Sequence, residues 1–316
     1  MMKRSFIYAL IVLTIAVAVP PFLDEFTLAV LAQTLLWAYL AMSWDVIGGY
    51  GGQFSLGHAA FMGIGAYTST LLLENFGISP WIGMWFSGIL AAGSGALVGL
   101  ASLRLRGPFF ALGTIAFAEL TQLLLMYLKD ITGGPLGIMI NRTGFLYMVF
   151  ESQLHYYYLF LMLVIAGAIF LKYFENSKFG VALIALREDE DAAEAVGIDV
   201  YRAKVLGAVI SAFLTGIGGT MYAQWIHYIR PDTIVRLDFS TQIAAIDVVG
   251  GAGSPFGGLI GAVLLVPVSL YLNALFGGMI AGLSVLLYGV VLLIVVVLMP
   301  GGIYGVMRKF FRRFRR

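Results

Sequence analysis

An all-α polytopic membrane protein of about ten transmembrane segments, two of them broken by glycine-rich stretches, is the fold class this sequence predicts. Three observations carry that reading. Of the 316 residues, 60% are hydrophobic and 11% charged, with a mean hydropathy of +0.94, a balance that fits no soluble globular class. Apolar runs near 20 residues recur along the chain, the length that a bilayer core about 30 Å thick asks of a helix. The 39 glycines are spread through those runs, where they let helices approach and kink. The whole chain, 1–316, reads as one transmembrane domain.

The first expected segment, 5–20, follows Lys3 and Arg4 and imitates a signal peptide, with small residues at Ala16-Val17-Ala18 before Pro20-Pro21. It reads as a retained helix, because the charges at the two ends demand an even number of crossings. Arg308, Lys309, Arg312, Arg313, Arg315 and Arg316 follow the last apolar run, so the positive-inside rule places both termini in the cytoplasm. That basic tail, 308–316, directly after a span, is a topogenic, lipid-facing anchor rather than a nucleic-acid site.

The remaining segments are expected at 27–47, 57–74, 81–103, 109–128, 156–174, 204–224, 239–251, 257–276 and 281–299. Arg104, Arg106 and the charged stretch 175–204 then fall on the cytoplasmic side, and 129–155 falls outside. The eighth segment is too short to cross a bilayer unaided. Without it the basic tail would land outside, so it counts as a short or broken crossing.

Gly48–Gly63, GGYGGQFSLGHAAFMG, is glycine-rich and polar between two apolar helices. Irregular backbone at membrane depth survives only where it lines a cavity or is buried in protein, because hydrocarbon offers no hydrogen bonds. An internal echo supports a functional reading. Asp45-Val46-Ile47-Gly48-Gly49-Tyr50-Gly51-Gly52-Gln53-Phe54 matches Asp247-Val248-Val249-Gly250-Gly251-Ala252-Gly253-Ser254-Pro255-Phe256 at a constant offset. Both segments run in the same direction, so the repeat would be parallel, and two breaks in corresponding places would mark two sides of one translocation path. The bland alternative is a pair of ordinary glycine-rich loops.

Ionisable groups within spans face the bundle interior or water, since each is costly in lipid. Asp45, His58, Glu119 and Asp247 belong to this class. Gln53, Ser55 and His58 cluster in the first break and are candidate path residues, with Gly52 and Gly253 as positions that need positive φ or close backbone approach. Asp45 and Asp247 are expected on the same path, or as mere ties for the breaks. Glu119, mid-span, is read as an intramembrane polar group whose plainest role is a hydrogen bond between helices.

Catalytic constellations are missing from the sequence. There is no phosphate loop of the G-x-x-x-x-G-K-[ST] type. The three histidines, His58, His155 and His227, have no metal-pair or nucleophile spacing. The absence of cysteine removes thiolate chemistry. An enzyme is not expected, and no metal site is expected in this chain.

The stretch 175–204 is unusual for its acidity. Arg187-Glu188-Asp189-Glu190-Asp191 would open a short helix with an acidic first turn, ended by Gly197 in the left-handed conformation, and Asp199 would cap the next span. A charged helix with a small apolar face of Ala192, Ala193 and Val196 reads as a docking knob. The alternative is a solvated loop that sets topology, but that role calls for Lys and Arg rather than acids.

Long blocks of the chain resemble the permease subunits of branched-chain amino acid ABC importers, the LivM/LivH type. The blocks are GGYGGQFSLGHAAFMGIGAYTSTLLL, LRGPFFALGTIAFAEL, ITGGPLGI, FGVALIALREDEDAAEAVGIDVYRAKVLGAVISAFLTGIGGTMYA and VVGGAGSPFGGLIGAVLL, and together they cover most of residues 30–305. LRGPFF and TGGPLG are similar to the LivM half. The resemblance implies a prokaryotic inner-membrane protein in a heteromeric complex with a second homologous permease, two ATP-binding subunits and an extracytoplasmic binding protein, ATP and Mg being bound by the ATPases. It also implies that the cytoplasmic helix is the ATPase coupling element, with Arg187, Glu188, Asp189, Ala192, Ala193, Glu194 and Gly197. Urea and short-chain amide importers share the blocks, so the resemblance leaves the substrate open, with amino acids ahead. A secondary transporter would recruit Asp45 and Asp247 as an ion site, but would have no use for the acidic knob.

Overall fold

The computed structural model describes residues 14–101, 107–277, 282–299 and 301–306. Lys3, Arg4, Arg104, Arg106, most of the 5–20 segment and the basic tail 308–316 lie outside the described residues.

Asp24 opens α1, Glu25–Asp45, its carboxylate accepting from the backbone N–H of Thr27 at 3.0 Å and so satisfying a donor that the first helical turn leaves free. The helix runs on into one π turn, Val46–Tyr50. The chain is then non-helical until α2, His58–Phe76. α3, Pro80–Ala101, and α4, Pro108–Tyr127, each begin at proline, whose missing N–H costs nothing at a helix start. α5, Gln153–Phe174, is capped by Ser152.

The acidic stretch departs from expectation. One helix was expected from Glu188 to Val196; the structure has two, α6 at Lys178–Glu188 and α7 at Glu190–Ala195. Ser177 caps the first and Asp189 the second, so Asp189 sits between them as a cap rather than inside a helix. Asp199 caps α8, Val200–Ile226, by accepting from the N–H of Arg202. α9, Leu237–Gly250, α10, Gly257–Phe276, and α11, Leu283–Leu298, complete the bundle.

Among the described residues, six helices are long and apolar enough to cross a membrane: α1 with its π turn, α3, α4, α5, α8 and α10. α11 contains a shorter apolar stretch. α2, with 19 residues, and α9, with 14, fall outside that set. α2 carries His58, Ser69 and Thr70 on its buried side, so it is shielded by protein and has less need of apolar composition. α9 is about 21 Å long.

α8 occupies the centre, against α3, α2 and α1, and α1 also packs on α5 and α10. Small residues permit this, with Gly95 seated on Ala208 and Ala212 and Gly216 on Ser87 and Ala91, so the α3 and α8 backbones meet. Leu112, Leu120 and Leu123 of α4 point outward. Glu119 shares that exposed side. At one end of the bundle, β1, Ile138–Met139, from the 129–155 stretch pairs antiparallel with β2, Tyr228–Ile229, which follows α8. At the other end lie α6 and α7, next to the start of α8.

Candidate functional site

The two glycine-rich breaks meet where α1 and α9 end. Asp45 and Asp247 are both fully buried, and their carboxyl groups face one another. Asp45 Oδ1 accepts from the N–H of Gly253 at 2.5 Å, which pins the second break to the end of α1. Apart from each other, Asp45 Oδ2 and the Asp247 oxygens have no hydrogen-bond partner among the described residues.

Arg187, in the last turn of α6, reaches this pair of breaks from outside. Its Nη1 donates to the carbonyl of Gly49 at 2.8 Å and comes within 3.5 Å of the carbonyl of Ala252. One guanidinium therefore spans both breaks. The two expected glycines flank it: Gly52 has φ +64 and a Cβ there would sit 2.9 Å from Arg187 Cγ, while Gly253 has φ +80 and its Cβ would overlap Arg187 Nη1. Both positions combine a left-handed backbone with a side chain too close to admit another.

A second tie lies alongside. Glu190, in α7, accepts from Gln53 Nε2 at 3.0 Å and pairs with Lys204 Nζ at 2.7 Å. The Lys204 side chain is 8% exposed, so this carboxylate is its counter-charge in a mostly dry setting. Gln53 is thus held to the α6–α7 element rather than lining open space. Its own Oε1 finds no partner among the described residues.

Ser55 and His58 are buried in a polar network instead of a cavity. His58 Nε2 lies 2.8 Å from Ser211 Oγ and its Nδ1 3.2 Å from Ser55 Oγ. Ser211 donates to the carbonyl of Ser43 at 2.7 Å, and Trp44 Nε1 donates to that of Ser55, also at 2.7 Å. The non-helical stretch is completed by the N–H of Leu56 on Thr114 Oγ1 and the N–H of Ala59 on Ser240 Oγ, both at 2.9 Å. The backbone freed by the break is satisfied by protein side chains, as a dry surrounding requires.

The residues expected to couple are divided. Arg187 touches the breaks; Glu188, Ala192 and Glu194 are exposed. Asp189 caps α7, and Gly197, at φ +88, follows its last turn. Ala193 is buried within this chain at 3% exposure, whereas Val196 is 78% exposed, so the expected apolar face is split between core and surface. Gly49, Glu190 and Lys204 are central here and were not singled out from sequence. The signal for the last pair was present: a lysine four residues into an apolar helix needs a nearby acid.

Towards the opposite ends of α1, α8 and α9 lie two further features. One is a 210 Å³ cavity lined by Trp37, Tyr222, Phe239 and Gln242; the other, of 560 Å³, is lined by Asp238, Thr241, Gln242 and Asn273. None of the break residues lines either one.

Comparison with known proteins gives this geometry a context. The family described as branched-chain amino acid transport system / permease component matches residues 26–296. The high-affinity branched-chain amino acid transport system permease protein LivM of Escherichia coli is 32% identical over 288 residues, covering 84% of this chain and 67% of its own length. The probable branched-chain amino acid transport permease protein LivH of Methanocaldococcus jannaschii is 27% identical, over 79% of this chain and 82% of its own. The nucleoside ABC transporter permease protein NupC of Lactococcus lactis is 25% identical, over 82% of this chain and 86% of its own. No solved structure matches.

Proposed function

We propose, from the premise that this chain belongs to the branched-chain amino acid transport system permease component family, that it is the membrane-spanning subunit of an ATP-driven importer and forms part of the path for branched-chain or other hydrophobic amino acids. It works with a second, similar permease and an external binding protein. Two ATPase subunits bind ATP and Mg, since this chain has no phosphate loop. Its termini and the α6–α7 element are cytoplasmic, and the β1–β2 end faces outward.

The observation that carries this reading is the position of Arg187. A side chain from the α6–α7 element holds the carbonyls of both breaks at once, so force applied to α6–α7 by an ATPase is delivered to the two places where the bundle is not helical. Charge-assisted hydrogen bonds of this kind are about twice as strong as neutral ones. Glu190 adds a second attachment through Gln53. In the proposed cycle, ATPase movement withdraws Arg187 and Glu190, the breaks separate, and the inner end of the path opens. Val196 and Ala192, exposed at the tip of α7, supply the docking surface.

The test is ATP-driven uptake of radiolabelled leucine by the complex in proteoliposomes, comparing the natural chain with Arg187→Ala. The expected result is leucine uptake by the natural complex, lost at least about tenfold in the variant while the ATPase subunits still co-purify. Import of guanosine but not leucine would overturn the substrate class. Undiminished uptake by Arg187→Ala would overturn the coupling role.

A further inference from the structure

The 210 Å³ cavity has a lining unlike the rest of the bundle. Gln33 and Trp37 come from α1, Tyr222 and Trp225 from α8, Phe239 and Gln242 from α9. The aromatic rings enclose it edge to face: Trp37 and Phe239 at 5.3 Å and 83°, Tyr222 and Phe239 at 5.8 Å and 79°, Tyr222 and Trp225 at 6.4 Å and 67°. Among the described residues no charged side chain lines it.

Trp37 is the second observation. It is 3% exposed, yet its indole N–H has no hydrogen-bond partner among the described residues. The indoles of Trp44, Trp81 and Trp225 each donate to an oxygen at 2.7–2.9 Å. A buried indole N–H normally finds an acceptor, and leaving one unpaired costs about 1–3 kcal/mol. The Trp37 ring lines the cavity beside two amide side chains; its nitrogen is covered in this conformation, so an acceptor from a ligand reaches the orphan donor once the ring turns.

Resting on the function proposed above, we infer that this recess is a transient binding site for one aliphatic amino acid in its zwitterionic form. The carboxylate accepts from the indole of Trp37 and the amides of Gln33 and Gln242. The branched side chain fits among Tyr222, Trp225 and Phe239. The ammonium points to the adjoining 560 Å³ cavity, which shares Gln242 and Ser269 with the recess and carries Asp238 and Asn273. A few polar groups in an apolar, concave lining are the usual make-up of a small-molecule site. A compact aliphatic group packs against the edges and faces of these rings alike.

The test uses the purified full complex in nanodiscs, without the binding protein, titrated with labelled L-leucine and, separately, guanosine. The natural complex should bind leucine, and Trp37→Phe, which keeps the ring and removes the N–H, should weaken binding about tenfold. Ser269→Trp, which fills the recess, should abolish binding. Equal leucine affinity in Trp37→Phe, with the complex intact, overturns the site. A complex that imports leucine but binds none by itself overturns the site and leaves the transport function standing. A complex that binds and imports guanosine in place of leucine overturns both.

Discussion

The two ends of α1 and α9 are built on opposite principles. Near Asp45 and Asp247 the helices are bound together by the Gly253–Asp45 contact, Arg187 and Glu190, with glycines admitting no added atom. Eight residues earlier on each helix, about 12 Å away, Trp37 and Phe239 stand edge to face beside a cavity and an unpaired donor. One end is tied shut and the other has room. Closed packing at one end and space at the other is the asymmetry that alternating access requires of a transport subunit.

That comparison also bears on the internal repeat. Trp37 and Phe239 are separated by 202 residues, as are Asp45 and Asp247, and each pair is in contact. Corresponding positions meet at both levels, which is what two parallel segments related by an axis along the membrane normal would do.

The largest expected effect breaks the tied end. Gly253→Val adds an isopropyl group where φ is +80 and where even a Cβ overlaps Arg187 Nη1. Leucine uptake should fall below about a tenth of the natural level, through loss of the Arg187 bridge and strain of about 1–3 kcal/mol at that residue. The complex should still assemble. Normal uptake with the variant fully incorporated would show that the second break is free of the coupling path.

Next in size is Glu190→Ala. Removing the carboxylate strands the Lys204 ammonium, whose side chain is 8% exposed, and breaking one side of such a pair costs about 3–5 kcal/mol. Thermal denaturation of the purified complex should shift down by several degrees, and the double variant Glu190→Ala/Lys204→Met should recover most of it. If the single variant melts like the natural protein, the second tie contributes nothing to the closed end.

How much of this was legible in the sequence depends on what fixed each feature. The helices from α1 to α11 that fall in expected spans begin and end within four residues of them, because apolar length and capping residues are local properties. The Asp45 and Asp247 echo marked both breaks, and the structure brings them together. What sequence could not reveal was depth and neighbour. Gln53, Ser55 and His58 looked like cavity-lining groups, but Gln53 bonds to Glu190 across 137 residues and His58 to Ser211 across 153. Such partners are set by how helices pack, and no spacing encodes them. The acidic stretch misled for a local reason: Asp189, read as part of a helix's first turn, ends one helix and caps the next. The recess was invisible because Trp37, Tyr222 and Phe239 each look like ordinary core aromatics until three helices place them around one space.

The smallest expected effect sharpens the comparison at the roomy end. His227 closes α8 two residues beyond Trp225, in the left-handed conformation at φ 62, with Nε2 2.9 Å from Tyr156 Oη. Burial pushes its pKa below the usual 6.5, so the folded state holds the neutral ring while the unfolded chain takes up a proton near pH 6.5. The stabilisation is therefore full above that pH and is lost as pH falls below it towards the folded value. Between pH 7 and pH 5 the melting temperature of the natural complex should drop more than that of His227→Asn, by about 1–2 °C. Asparagine tolerates the left-handed backbone and cannot be protonated, so it isolates the titration from the turn. The cavity lies next to this cap, and a ring that charges there should also weaken leucine binding slightly at pH 5 in the natural complex and not in the variant. Identical pH profiles for the two proteins would mean that the cap takes no part in holding the recess.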